Sequence, residues 1–166
     1  MTLRRENLGY SVASPKYVYV ASSWRNQFQQ GVIAALHVAG IDCFDFKNPN
    51  GGTGFSWTEV EPGSTPAARA KGADWKSVDN YLTMVGHPRA IEGFDADFAA
   101  MEKADTFVLV LPCGKSAHLE LGWAVGAGKR TAILLEDPVE RELMYKMVDH
   151  LSPNIPDLLA WMGQRS

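Results

Sequence analysis

The stretch that most constrains the fold is TFVLVLPCGKSAHLELGWAVGAGKRTAILL, residues 106–135. Two apolar runs, TFVLVL at 106–111 and TAILL at 131–135, flank a segment suited to a helix over 116–127. Runs that are apolar at every position belong to strands covered on both faces, and two such strands joined by a helix run parallel. The rhythm also occurs nearer the start. YVYVA at 17–21 and IDCFDF at 41–46 have strand composition, and between them Phe28, Val32, Ile33, Leu36 and Ala39 recur at helical spacing in a helix expected over 24–39. Further helices are expected from about Phe94 to Lys103 and over 140–148. The tail reads as a turn and then a short helix from Pro156 that docks Leu158, Leu159 and Trp161. The alternation implies an α/β fold: a doubly wound, mostly parallel sheet of about five strands with helices on both faces, in a single domain spanning 1–166.

The rhythm breaks between residues 47 and 89, where glycines and prolines crowd around Trp57, Trp75 and Tyr81. Loops of this length inside a domain are functional or disordered, and large rings argue against a plain solvated linker. The region is expected to be a flap insertion with one short helix near 74–83. A surface elaboration without a role in the site is the other reading.

Composition narrows the partners. A net charge of −3 and 46% hydrophobic residues carry no basic footprint for nucleic acid or a membrane surface. A small-molecule partner is therefore expected. No apolar run of about 18 residues occurs, and no apolar stretch follows the two arginines of MTLRRENLGY, which points to the cytoplasm. The two cysteines, Cys43 and Cys113, lack metal or redox spacing and read as buried thiols in a reducing compartment. The histidines show no ligand spacing either, so neither metal nor cofactor is expected.

Four groups of residues could carry chemistry. Glu120 follows a polar Gly-Lys-Ser loop; if Ser116 caps the helix, the carboxylate lies in the opening turn, where the helix dipole keeps it ionised. It then serves either as a nucleophile or merely to support the helix. SSWRN at 22–26 offers Ser22, Ser23 and Arg25 at a helix start, the makings of an anion site, or simply a cap beside a solvated arginine. Asp95 and Asp97 open the next helix, one as its cap and the other free to pair with Glu120. His118 stands two positions before Glu120, and residues two apart do not share a helix face, so packing or an interface suits it better. GWAVGAGKR lacks the phosphate-loop order; Gly128 there reads as a helix C-cap followed by a cation.

Taken together and in order, YVASSWR, DFAAMEKAD and SAHLELGWAVGAGK resemble the nucleoside 2-deoxyribosyltransferase family, which includes the 2'-deoxynucleoside 5'-monophosphate N-glycosidases; the likeness spans most of 17–135. The resemblance implies a flavodoxin- or Rossmann-like sheet. It also implies cleavage or exchange of the N-glycosidic bond of a 2'-deoxynucleoside or its 5'-monophosphate, without cofactor or metal. Glu120 matches the family's nucleophile, Asp97 the aspartate that assists departure of the base, and Tyr19 a tyrosine near the carboxylates. Trp24 resembles a position of the transferases, and Ser23 and Arg25 resemble phosphate-binding residues of the hydrolases. The transferases hold an aspartate where this chain has Gly114 and the hydrolases a serine, here offered two residues on by Ser116. Trp57 of the flap and Tyr145 of ELMYKMVDH are further substrate-facing candidates. The resemblance implies a homodimer or higher homo-oligomer with shared sites, Tyr145 being the residue lent across. The competing readings are a ribonucleotide or NAD-like N-glycosidase, and a non-catalytic nucleotide-binding sensor on the same fold.

Overall fold

The computed structural model describes residues 15–60, 77–135 and 140–163. In chain order these form β1 (Val18–Ala21), α1 (Gln29–Val38), β2 (Cys43–Phe44), α2 (Trp57–Val60), α3 (Val78–Val85) and α4 (Pro88–Lys103). Then come β3 (Thr106–Val110), α5 (Lys115–Gly126), β4 (Arg130–Leu134), a 3-10 turn (Leu143–Met147), β5 (His150–Ser152) and α6 (Ile155–Gly163). The chain divides into two compact units, one of Met1–Asp45 with Met101–Ser166 and the other of Phe46–Ala100. Among the described residues no helix is long and apolar enough to cross a membrane.

The first unit holds the sheet. Its five strands are all parallel, in the order β2-β1-β3-β4-β5, so the winding reverses between β1 and β3. Strand alternation sends Val18, Val20, Val108, Val110, Ala132 and Leu134 into one cluster with Val32, Ile33 and Leu36 of α1 and Leu158, Trp161 and Met162 of α6. Each fully buried aliphatic side chain of this kind contributes about 1.5–3 kcal/mol. On the other face the Tyr19 ring stacks between Phe44 and Phe107, with centroids 5.3 and 5.0 Å away, and Phe107 meets Trp123 of α5 at 6.0 Å. Both faces are covered, as the unbroken apolar strands require.

Differences from the sequence reading have local causes. Helix α1 starts at Gln29, not Trp24, because residues 22–26 form a turn. β2 is two residues long rather than six. The helix expected from Phe94 begins at Pro88, where His87 Nδ1 accepts the Arg89 amide at 3.1 Å and proline fits a first helical position. Gly93 sits inside α4, where a side chain would not fit: a Cβ there would lie 2.7 Å from Phe55 Cβ. Asp95 and Asp97 are thus mid-helix residues and neither caps it. Residues 140–148 supply a 3-10 turn rather than an α-helix, and the strand missing from the sequence reading is β5, whose His150 pairs with Ala132. The helix end at Gly128 is as expected: φ is 71°, with Lys129 N donating to Ala124 O at 3.0 Å. The Lys129 ammonium, however, serves α4, donating to Glu102 O at 2.8 Å and Ala104 O at 2.6 Å. Of the small residues of α5, Ala117 and Ala124 are buried, while Gly122 and Gly126 face open space.

In the second unit, Ser56-Trp57-Thr58-Glu59 forms a capping box. Ser56 N donates to Glu59 Oε1 at 2.7 Å, and this bond, with the Arg89 guanidinium 3.0 Å from Oε2, holds the Glu59 carboxyl below its usual range. The expected helix near 74–83 is α3, capped by Ser77. Trp75 lies outside the described residues.

Candidate functional site

In open α/β sheets ligands bind beyond the carboxyl ends of the strands, where the winding reverses. Here that point is flanked by the loop after β1, residues 22–28, and the loop after β3, residues 111–114. Polar side chains tie the two loops together. Asn26, only 5% exposed, donates from Nδ2 to Pro112 O at 2.9 Å and to Val110 O at 3.2 Å. Its Oδ1 accepts the amides of Phe28 at 2.6 Å and Gln29 at 2.9 Å and so caps α1. Ser22 Oγ donates to Val110 O at 2.8 Å, while Ser23 Oγ accepts the Arg25 amide at 3.3 Å. Neither serine caps the helix. The capping residue is Asn26, which sequence reasoning passed over although asparagine is a preferred cap; the pull of the two serines on a 24–39 helix hid it. Arg25 is exposed and has no ion pair among the described residues, and Trp24 is 47% exposed.

The loop after β3 is built differently. Gly114 is the N-cap of α5 and supplies no side-chain cap; Lys115 and Ser116 occupy the first two helical positions, both exposed. Ser116 therefore does not cap the helix, and Glu120 falls in its second turn rather than its first. Glu120 is partly buried, on one flank of the stripe formed by Ala117, Leu121 and Ala124 that packs on the sheet. Two residues correspond to a rotation of about 200°, so His118 leaves the helix on the opposite flank. There its Nε2 lies 2.9 Å from Tyr145 Oη and its Nδ1 2.8 Å from Gly114 O, with the two rings stacked at 5.9 Å. Tyr145, expected to reach a neighbouring subunit, makes this bond within its own chain. Cys113 Sγ is 3.5 Å from His118 Nδ1. Burial first, and the Glu120 charge second, push the Cys113 thiol up to about 12, so it stays protonated and unreactive. Both cysteines are half-buried rather than buried; Cys43 is likewise pushed up, to about 11.

A cleft of about 660 Å³ opens at the carboxyl end of β3, between residues 111–113, His118 and the segment Glu140–Tyr145. That volume lies within the range of small-molecule sites. Tyr19, by contrast, is 1% exposed and belongs to the core stack.

The second unit carries the other carboxyl. Asp97 is partly buried in the middle of α4, and burial pushes its carboxyl up to about 6, so near neutrality a fraction holds its proton. Asp95 is exposed. Trp57 is 46% exposed, edge-on to Phe55 at 5.1 Å.

Neither a protein-family model nor a curated protein sequence matches the chain. Solved structures do. A 2-deoxyribosyltransferase from Bacillus psychrosaccharolyticus superposes with a TM-score of 0.51 at 16% identity, covering 88% of this chain and 95% of its own. A CMP N-glycosidase of Clostridium botulinum, BcmB, does so with a TM-score of 0.50 at 13% identity, covering 90% and 100%. At such identities the likeness establishes the architecture: the chain has the doubly wound, flavodoxin-like α/β fold of these two enzymes.

Proposed function

We propose that the protein cleaves the N-glycosidic bond of a 2'-deoxynucleoside or its 5'-monophosphate, by hydrolysis or base exchange, with Glu120 as nucleophile. The observation that carries this reading is the placement of a partly buried carboxylate on the helix that follows β3, beside the point where the sheet's winding reverses. The likeness of fold to a 2-deoxyribosyltransferase and a CMP N-glycosidase supports it. Glu120 attacks C1' of the sugar, the bond from C1' to nitrogen breaks through an oxocarbenium-like state, and the departing base takes a proton from Asp97. A carboxyl whose pKa lies near 6 suits a proton donor at neutral pH. The glycosyl ester on Glu120 is then opened by water, which gives a hydrolase, or by a second base, which gives a transferase. Arg25, exposed, and Ser23, partly buried, both just beyond the carboxyl end of β1, are the phosphate-binding candidates, with Ser116 at the open start of α5.

The experiment is incubation with a panel of deoxynucleosides and their monophosphates, followed by chromatography for free base, with a second base added in parallel to detect exchange. Release of base that disappears in Glu120→Gln is the expected result. Saturable binding with neither release nor exchange for any member identifies a nucleotide sensor instead. Because one structural neighbour is a CMP N-glycosidase, cytidine 5'-monophosphate belongs in the panel, and preference for it establishes the ribonucleotide reading. A cytoplasmic dimer with shared sites is part of the same proposal; a species that sediments as a fully active monomer refutes that part.

A further inference from the structure

The pairing of His118 with Tyr145 has a chemical direction. Gly114 O can only accept, so the His118 nitrogen 2.8 Å from it, Nδ1, carries the hydrogen. In the neutral ring Nε2 is then the acceptor, and the hydroxyl 2.9 Å away, that of Tyr145, donates to it. Burial, and then the nearby Cys113 and Glu142, raise the Tyr145 phenol above its ordinary range, so it keeps that proton. With its hydrogen committed to His118, the Tyr145 oxygen can offer the cleft only lone pairs. The Glu142 charge lies near it, with one carboxylate oxygen already taken by the Met144 amide at 3.1 Å, and Glu140 and Arg141 are further described residues of the cleft lining. At Tyr145 the wall thus presents an acceptor, and it matches a ligand edge that carries an N–H group.

We propose that this cleft takes the base of the substrate by an amino-bearing edge, with Tyr145 accepting from the amino group and His118 acting as the positioning residue that fixes the direction of the Tyr145 hydroxyl. The inference rests on the nucleotide reading above: in a deoxynucleotide the amino-bearing base is the part richest in N–H donors. His118 also joins the two walls, because its other nitrogen is bonded to the loop that opens the helix of Glu120.

The test uses substrate pairs that differ by an amino against an oxo group, the 5'-monophosphates of 2'-deoxycytidine with 2'-deoxyuridine and of 2'-deoxyadenosine with 2'-deoxyinosine. It also uses calorimetric binding of cytosine, uracil, adenine and hypoxanthine. The wild type should favour the amino member of the pair it accepts by about three- to tenfold in kcat/KM, the worth of one hydrogen bond. Tyr145→Phe should bring the ratio close to one. His118→Phe should do the same through KM rather than kcat, and His118→Gln, whose amide oxygen can accept from Tyr145, should restore part of the preference. A wild-type ratio near one, or a ratio untouched by Tyr145→Phe in a protein with unchanged thermal midpoint, overturns the proposal. If no substrate is turned over, the reaction reading has failed separately, and the binding ratios decide: amino preference lost in Tyr145→Phe upholds the cleft's role, and equal binding overturns it.

Discussion

The loops after β1 and β3 meet at the same edge of one sheet and are made in opposite ways. In the first, the polar side chains are engaged with the chain itself: Asn26 alone makes four hydrogen bonds, and Ser22 donates to Val110 O. In the second, α5 begins at a glycine with no side-chain cap, and the polar residues that follow, Lys115 and Ser116, are exposed. One loop acts as a brace and the other is left open. A motif rich in hydroxyl and amide groups does not by itself mark the ligand side of a site; the partners of those groups decide.

The largest expected effect separates the two roles. Glu120→Gln should lower turnover at least about a thousandfold, as loss of a nucleophile does, while the thermal midpoint stays within about 2 °C, because a second-turn carboxylate gains little from the helix dipole. Steady-state kinetics beside calorimetry check both, and activity within threefold of wild type removes Glu120 from the nucleophile role. Asn26→Ala should do the reverse. It strands two amides and the Pro112 carbonyl at the edge of the core, Val110 O keeping its bond from Ser22, which costs about 2–4 kcal/mol, or roughly 4–16 °C in midpoint for a chain of this size. A stable Asn26→Ala protein means that the brace is decorative.

Within the first loop, Arg25 remains free to act on a ligand. Arg25→Ala should raise KM for the monophosphate about tenfold to over a hundredfold, the worth of a charged hydrogen bond at roughly 1.5–3 kcal/mol, with little effect on the nucleoside. An unchanged ratio between the two returns Arg25 to a solvated turn and leaves the open start of α5 as the anion site.

The smallest effect tests whether the second unit's carboxyl is strained by burial. Asp97 has a folded pKa of about 6, above its ordinary value of 3.8, so the folded state holds this proton more tightly than the unfolded chain does. Its contribution to stability is complete below pH 3.8 and is lost as pH rises through about 6. Asp97→Asn should therefore match the wild type near pH 4 and exceed its thermal midpoint by a few degrees at pH 8, while losing turnover. A difference that does not change with pH shows that the carboxyl is not held in its neutral form.

What the sequence determined by itself is the α/β layering and the parallel sheet, because TFVLVL and TAILL are apolar at every position after the opening threonine and only strands covered on both faces tolerate that. It also marked the end of α5 at Gly128, since a left-handed residue is nearly glycine's alone. It singled out Glu120, but with the wrong turn, because Ser116 looks like a cap and only the folded chain shows Gly114 in that place. Tertiary structure alone decided the rest. β5 is three residues with no periodic signal and exists because β4 offers it an edge. Asn26 became the brace only once Pro112, 86 positions away, arrived beside it. His118 found Tyr145 across 27 positions for the same reason. Periodicity records which face a residue buries against its own element's neighbours. A hydrogen bond between distant loops leaves no such record, because its geometry is fixed by the sheet order and not by spacing along the chain.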